Sequence, residues 1–189
     1  MSTRYQVHYL PEVLQDPCNR ALTVRRALEW AEDRGCVMAV DVTPKGTRGG
    51  QMPRLPGPFM SRMNAVVFRL FRGRSFFGMH LLQLTTIGAK SGQERVTTLA
   101  YVPDGDNAWL ITGSAGGAAS HPAWYFNLAK NPDKVWIRVG HRKIKVRPES
   151  LKGAARENAY RRFEQTAKSY SGYPQKTDRE IPVVRLTAA

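Results

Sequence analysis

Long apolar runs are missing from this chain. No stretch approaches the ~18 residues of a membrane-spanning helix, and the N-terminus carries no signal-peptide core. Cysteine is nearly missing as well. Cys18 and Cys36 lie far upstream with no His or Cys at ligand spacing. That argues against a metal site or a disulfide framework and points to a reducing cytosol. Acidic residues are scarce: 15 Asp and Glu stand against 29 Lys and Arg, and none lies between Asp41 and Glu94. The formal charge of +14 predicts an acidic partner, whether nucleic acid, anionic lipid or an anionic cofactor, without choosing among them.

What is present is enough for a core. Of 189 residues 42% are hydrophobic, which implies one domain, or one domain with an appendage. Residues 1–52 read as an N-terminal extension of unassigned role. They hold a helical stretch, NRALTVRRALEWAEDRG, and then a Gly- and Pro-rich linker, TPKGTRGGQMPRLPGP, from Thr43 to Pro58. Met52 is an alternative start. Residues 53–189 read as the main domain, opened by an amphipathic helix over 58–74. There Phe59, Met63, Val66, Val67 and Leu70 share one arc, with Arg62, Arg69 and Arg72 opposite. Such a helix either covers the core or lies on the inner face of an anionic membrane.

Past residue 78 the punctuation becomes β. MHLLQLTTIG is a strand, ERVTTLAYV and NAWLITGSA flank an Asp-Gly turn, and KVWIRV and RKIKVRP flank Gly140-His141. HPAWYFNLAKNP is a short helix, LKGAARENAYRRFEQTAKSY a longer one, and IPVVRLTA a closing strand. Short antiparallel strands with two helical interruptions predict a mainly β fold, a small barrel whose closure removes exposed edges.

Three segments carry candidate chemistry. In TTIGAKSGQERVTT, Lys90, Ser91 and Arg95 flank glycines, which makes either an anion nest or a hairpin loop with solvated charges. In GSAGGAASHPAWYFNL, Gly116 and Gly117 let a backbone come close to a ligand, and Trp124 either stacks on that ligand or packs in the core. His121 reads as a polar contact rather than a base. In SYSGYPQKTDREIP, Tyr170 and Tyr173 either bind an acceptor and supply a proton or pack a helix end; Asp178 and Arg179 read as local turn-holders. No nucleophile–base pair stands out, so any hard chemistry belongs to a bound organic cofactor.

Together LTTIGAKSGQERVTTLAYV, ITGSAGGAASHPAWYFNLAKNP and YPQKTDREIPVVRL resemble the deazaflavin-dependent nitroreductases of actinobacteria, also described as F420-dependent quinone reductases. The resemblance covers roughly residues 53–188. It implies a split β-barrel of the flavin- and deazaflavin-binding type. It also implies coenzyme F420, a deazaflavin with a phosphate and an oligoglutamate tail, and hydride transfer to a quinone-like, nitro or other electrophilic acceptor, menaquinone included. Carried over by motif, Lys90, Ser91, Gln93 and Arg95 grip the phosphate. Ser114, Gly116, Gly117, Trp124 and Asn127 line the cofactor, and Tyr170 and Tyr173 serve the acceptor. Ala115 and Ala167 stand where some members have Lys and Tyr, which puts cofactor affinity and nitro reduction in question. The alternatives are a flavin mononucleotide-dependent relative, an idle lipid or cofactor carrier, and a nucleic-acid binder; the last is disfavoured because aromatics do not alternate with basics on one strand face.

Overall fold

The structure is a computed structural model that describes residues 40–50 and 79–189. The N-terminal helical stretch and the amphipathic helix expected over 58–74 lie outside the described residues.

Six antiparallel strands form the core: β1 (His80–Ile87), β2 (Glu94–Pro103), β3 (Ala108–Thr112), β4 (Trp136–Val139), β5 (Arg142–Ser150) and β6 (Val183–Ala188). They close in the order β1-β2-β3-β6-β5-β4, with β4 returning to β1 through Leu84↔Ile137. Closure leaves no open sheet edge among these strands. Period-two alternation decides what each strand encloses. Leu82, Leu84, Ile111, Ile137, Val146, Val184 and Leu186 fill the interior, while Leu110 and Val183, one residue out of phase, join a second cluster. Each such aliphatic burial stabilises by about 1.5–3 kcal/mol.

Helix α1 (Ala123–Lys130) adds Trp124, Tyr125 and Leu128 to the interior cluster. Helix α2 (Gly153–Thr166) supplies Ala159, Tyr160 and Phe163 to the second cluster, against Val102, Leu110 and Val183. The sequence pattern suggested that this helix runs on to Tyr170. It ends at Thr166 instead, because Ala167 is extended (φ −152°, ψ 125°). A 3₁₀ turn (Lys168–Gly172) follows, then the single turn α3 (Tyr173–Lys176), with Pro174 in its opening turn where a missing N–H costs nothing.

The topology places the three motifs. Because neighbouring strands are antiparallel, the β1–β2 loop, the exit from β3 and the entry to β6 all fall at one end of the barrel. The β2–β3 and β4–β5 turns fall at the other. There Asp104 accepts from Arg162 of α2 and Arg185 of β6 at 2.6 and 2.7 Å. Burial pushes the Asp104 carboxyl up, but those two guanidinium hydrogen bonds outweigh it and hold the group below the usual carboxylate range.

Residues 40–50 are laced onto the barrel, although their composition reads as part of a linker. Val40 is buried in the interior cluster, the Tyr125 hydroxyl donates to the Asp41 carbonyl, and Lys152 pairs with Asp41. Gly and Pro forbid periodic structure locally, but they do not forbid close backbone contact with another segment.

Candidate functional site

The loop from Gly88 to Gln93 is tight. Gly88 donates to the Gln93 carbonyl and Gly92 donates to that of Gly88, each at 2.8 Å. Gly92 takes a positive φ of 65°, and a Cβ on Gly88 would stand 2.5 Å from Ser91 Oγ. The geometry turns Ser91, Gln93 and Arg95 toward one another. Arg95 donates to Ser91 Oγ at 3.4 Å and to Gln93 Oε1 at 3.3 Å. Lys90, Ser91, Gln93 and Arg95 are all exposed. Among the described residues no carboxylate pairs with Lys90 or Arg95.

Asn127 holds this loop from behind. It is buried on α1, its Oδ1 accepts the Ala89 N–H at 2.9 Å, and its Nδ2 donates to Thr86 Oγ1 at 3.1 Å. Asn131 adds a bond to the Ile87 carbonyl. The Asn127 amide is therefore engaged within the protein and acts on the site through the loop's shape. Trp124 is 5% exposed and packs edge-on to Tyr125 inside the barrel, so it fills the core and offers no open face for stacking.

The glycine turn after β3 runs through three consecutive residues with positive φ: Ala115 (49°), Gly116 (65°) and Gly117 (81°). Among the described residues nothing lies within 4 Å of where a Cβ on Gly116 would stand. Gly117 faces inward. A Cβ there would meet Lys176 Cβ at 2.8 Å and the Tyr173 carbonyl at 3.2 Å. Glycine at 117 thus lets the tyrosine segment seat directly against the turn, which brings the second and third motifs into contact. Ser114 is half-buried, and its carbonyl accepts from Gly117 and Arg179.

Tyr170 is buried, with its ring 5.3 Å from Phe163 and in a T-shaped contact 5.4 Å from Tyr173. Burial, with a smaller contribution from Tyr173, pushes its phenol up to about 12, so it stays protonated at neutral pH. Tyr173 is half-buried, with Lys176 Nζ 5.8 Å from its ring centroid.

Two residues matter more than the sequence pattern suggests. Arg179, 6% exposed, reaches past its own turn: it donates to the carbonyls of Ala118 (2.7 Å), Gly113 (2.8 Å) and Ser114 (2.9 Å), and to His121 Nδ1 (3.2 Å). The other side of His121 faces the Thr43 carbonyl, 2.8 Å from Nε2. With Arg179 donating to Nδ1, the proton sits on Nε2 and the ring is neutral. Burial and then the Arg179 charge pull its pKa down, consistent with that tautomer. The only sequence signal was a cation just before the last strand, which does not name partners some 60 residues away.

One barrel end thus carries a cationic loop that meets no carboxylate among the described residues, beside a glycine turn. The sequence profile of the F420H(2)-dependent quinone reductase family matches residues 60–188. This chain belongs to that family. Its fold is the split barrel of the F420-dependent reductases, and as a member it is an F420-dependent oxidoreductase. An F420H(2)-dependent quinone reductase of Mycobacterium tuberculosis (strain ATCC 25618 / H37Rv) is 42% identical over 111 residues, 56% of this chain and 72% of that protein. A solved F420-H2 dependent reductase superposes with a TM-score of 0.51 at 34% identity, covering 56% of this chain and 92% of that one. Membership favours F420 over flavin mononucleotide as the cofactor.

Proposed function

We propose that this reductase works on a quinone-like acceptor at the barrel end that carries all three motifs. The observation behind this reading is that this end carries Lys90 and Arg95, which meet no carboxylate among the described residues, together with the Gly116 turn and the Tyr170–Tyr173 pair. Lys90 and Arg95, with Ser91 and Gln93, would hold the F420 phosphate through charge-assisted hydrogen bonds. Gly116 would let the ring approach the backbone, and Ser114 would lie beside it. Bound there in reduced form, F420 supplies a hydride.

The tyrosines serve the other partner. A quinone oxygen gains negative charge as hydride arrives, and a phenol donor binds that developing anion better than the neutral carbonyl. Tyr170, like any phenol, is protonated at neutral pH and so acts as a hydrogen-bond donor rather than a base, and burial reinforces that state. Whether nitro compounds are also reduced turns on Ala167, which offers no third phenol.

We place the protein at an anionic membrane surface, where lipid-soluble quinones reside. Among the described residues no helix is long and apolar enough to cross a membrane. On β5, exposed Lys143, Lys145 and Arg147 alternate with Ile144, Val146 and Pro148, and Arg138 stands directly opposite Lys143. Like charges opposed across strands destabilise the sheet. An anionic surface would relieve that repulsion.

Fluorescence titration with F420 beside flavin mononucleotide tests the cofactor assignment, and oxidation of reduced F420 by menadione tests the reaction. Preference for flavin mononucleotide, or no turnover with menadione, would count against the reading.

A further inference from the structure

We infer that residues 40–50, upstream of the stretch matched by the family profile, are a working part of the cofactor site because they position the Gly116–Gly117 backbone. This rests on the F420 reading of that site.

The contacts run backbone to backbone. Gly50 donates to the Gly117 carbonyl at 3.0 Å and forms a parallel bridge with Ala118; Gly46 donates to the Ala119 carbonyl at 2.9 Å. Gly49 lies so close that a Cβ would stand 2.2 Å from Ala119 N and 2.7 Å from the Ala118 carbonyl carbon. The strap therefore grips the turn that carries Gly116, on backbone atoms that the barrel ladder does not use.

Thr177, Asp178 and Arg179 form a bracket between strap and turn. On one side the Asp178 carboxylate accepts the N–H groups of Thr47 (3.1 Å) and Arg48 (3.0 Å) and the Thr47 hydroxyl, while the Thr177 hydroxyl donates to the Arg48 carbonyl at 3.0 Å. On the other side Arg179 holds the carbonyls of Gly113, Ser114 and Ala118. His121 joins the two, taking a bond from Arg179 and facing the Thr43 carbonyl.

The turn needs such support. Three successive left-handed residues, one of them alanine, are not a conformation the chain holds by preference, and it persists only where surroundings over-determine it. Without the strap the ladder bonds remain, but the turn samples other shapes and a ligand must then order it. That ordering lowers affinity by the fraction of time the turn is misplaced.

The test uses the full chain with Gly49→Val and Asp178→Asn, since valine cannot fit at 49 and asparagine keeps shape while losing a carboxylate oxygen. Two readouts are needed: hydrogen exchange at the Gly117 and Ala118 amides, which requires no cofactor, and fluorescence titration with F420. Expected are faster exchange at those amides with barrel-strand amides unchanged, and a Kd for F420 raised about tenfold in Gly49→Val and less in Asp178→Asn, with kcat at saturating F420 near wild type. Should Gly49→Val fail to fold, Asp178→Asn decides alone. Unchanged exchange, or unchanged Kd with a wild type that binds F420, overturns the inference. A wild type that does not bind F420 instead overturns the reading beneath it.

Discussion

Arg179 donates a hydrogen bond to Nδ1 of His121 across 3.2 Å, so the imidazole must be neutral to receive it. The ring is also bounded by Tyr125 and Phe126 of α1 and by Thr43 and Pro44 of the strap, none of which offers a carboxylate. The folded chain therefore resists a proton that the unfolded chain accepts near pH 6.5. The stabilisation is fully present above that value and is lost as the pH falls through the lower, folded pKa. Thermal midpoints of the wild type should drop as the pH falls from about 7 toward 5, and His121→Gln should flatten that part of the profile. Parallel profiles for the two proteins would rule the histidine out.

Removing the Asn127 amide should loosen the phosphate loop without touching any proposed ligand contact. Asn127→Leu removes the acceptor of the partly buried Ala89 N–H, and losing such a hydrogen bond costs about 0.5–1.5 kcal/mol. Urea denaturation should show that loss, and F420 titration should show weaker binding. Intact stability and affinity together would mean that the loop does not depend on α1.

Charge-assisted bonds to a phosphate contribute about 1.5–3 kcal/mol each. Arg95→Ala should then weaken F420 binding by roughly ten- to a hundredfold, and Lys90→Ala should act in the same direction. The measurement is the same fluorescence titration, and normal affinity in both variants would remove the loop from the site.

Tyr170→Phe and Tyr173→Phe keep the T-shaped ring contact and delete only hydroxyls. The one that serves the acceptor should slow single-turnover oxidation of bound reduced F420 by menadione while leaving cofactor affinity nearly intact. Wild-type rates in both would leave the tyrosines a packing role.

Charge reversal on the outer face of β5 tests membrane contact. Co-sedimentation with phosphatidylglycerol vesicles at low salt should be strong for the wild type and much weaker for the Lys143→Glu, Lys145→Glu, Arg147→Glu variant. Equal binding by both would take the contact off this face.

Strands and hairpins were readable because period-two patterns and turn residues act locally: Leu82 and Leu84 are buried where their spacing says they should be, and Gly105 turns where Asp-Gly predicts it; the order in which the strands close was not. The end of α2 was harder, since no residue between Thr166 and Tyr170 is a helix breaker by itself. Gly46 and Gly49 read as linker residues in the sequence, because the backbones they touch carry no local signal. Trp124 was equally ambiguous, for a tryptophan after a glycine turn suits a ring stack or a core plug, and only the path of α1 decides. Arg179 reads as a local turn-holder for the same reason: its distant carbonyl partners carry no sequence signature.

The contact between Gly117 and the Tyr173–Lys176 segment has a thermodynamic consequence. The tyrosine segment seats so closely on the turn that a Cβ on Gly117 would stand 2.8 Å from Lys176 Cβ and 3.2 Å from the Tyr173 carbonyl, so a ligand that shifts the turn should also shift that segment. On the proposed assignment of turn to cofactor and tyrosines to acceptor, the two are linked ligands. Whatever factor one contributes to the other's equilibrium affinity is returned unchanged in the opposite direction. Alanine at 117, at a φ of 81° and with its Cβ 2.8 Å from Lys176 Cβ, should disturb the turn and the tyrosine segment together.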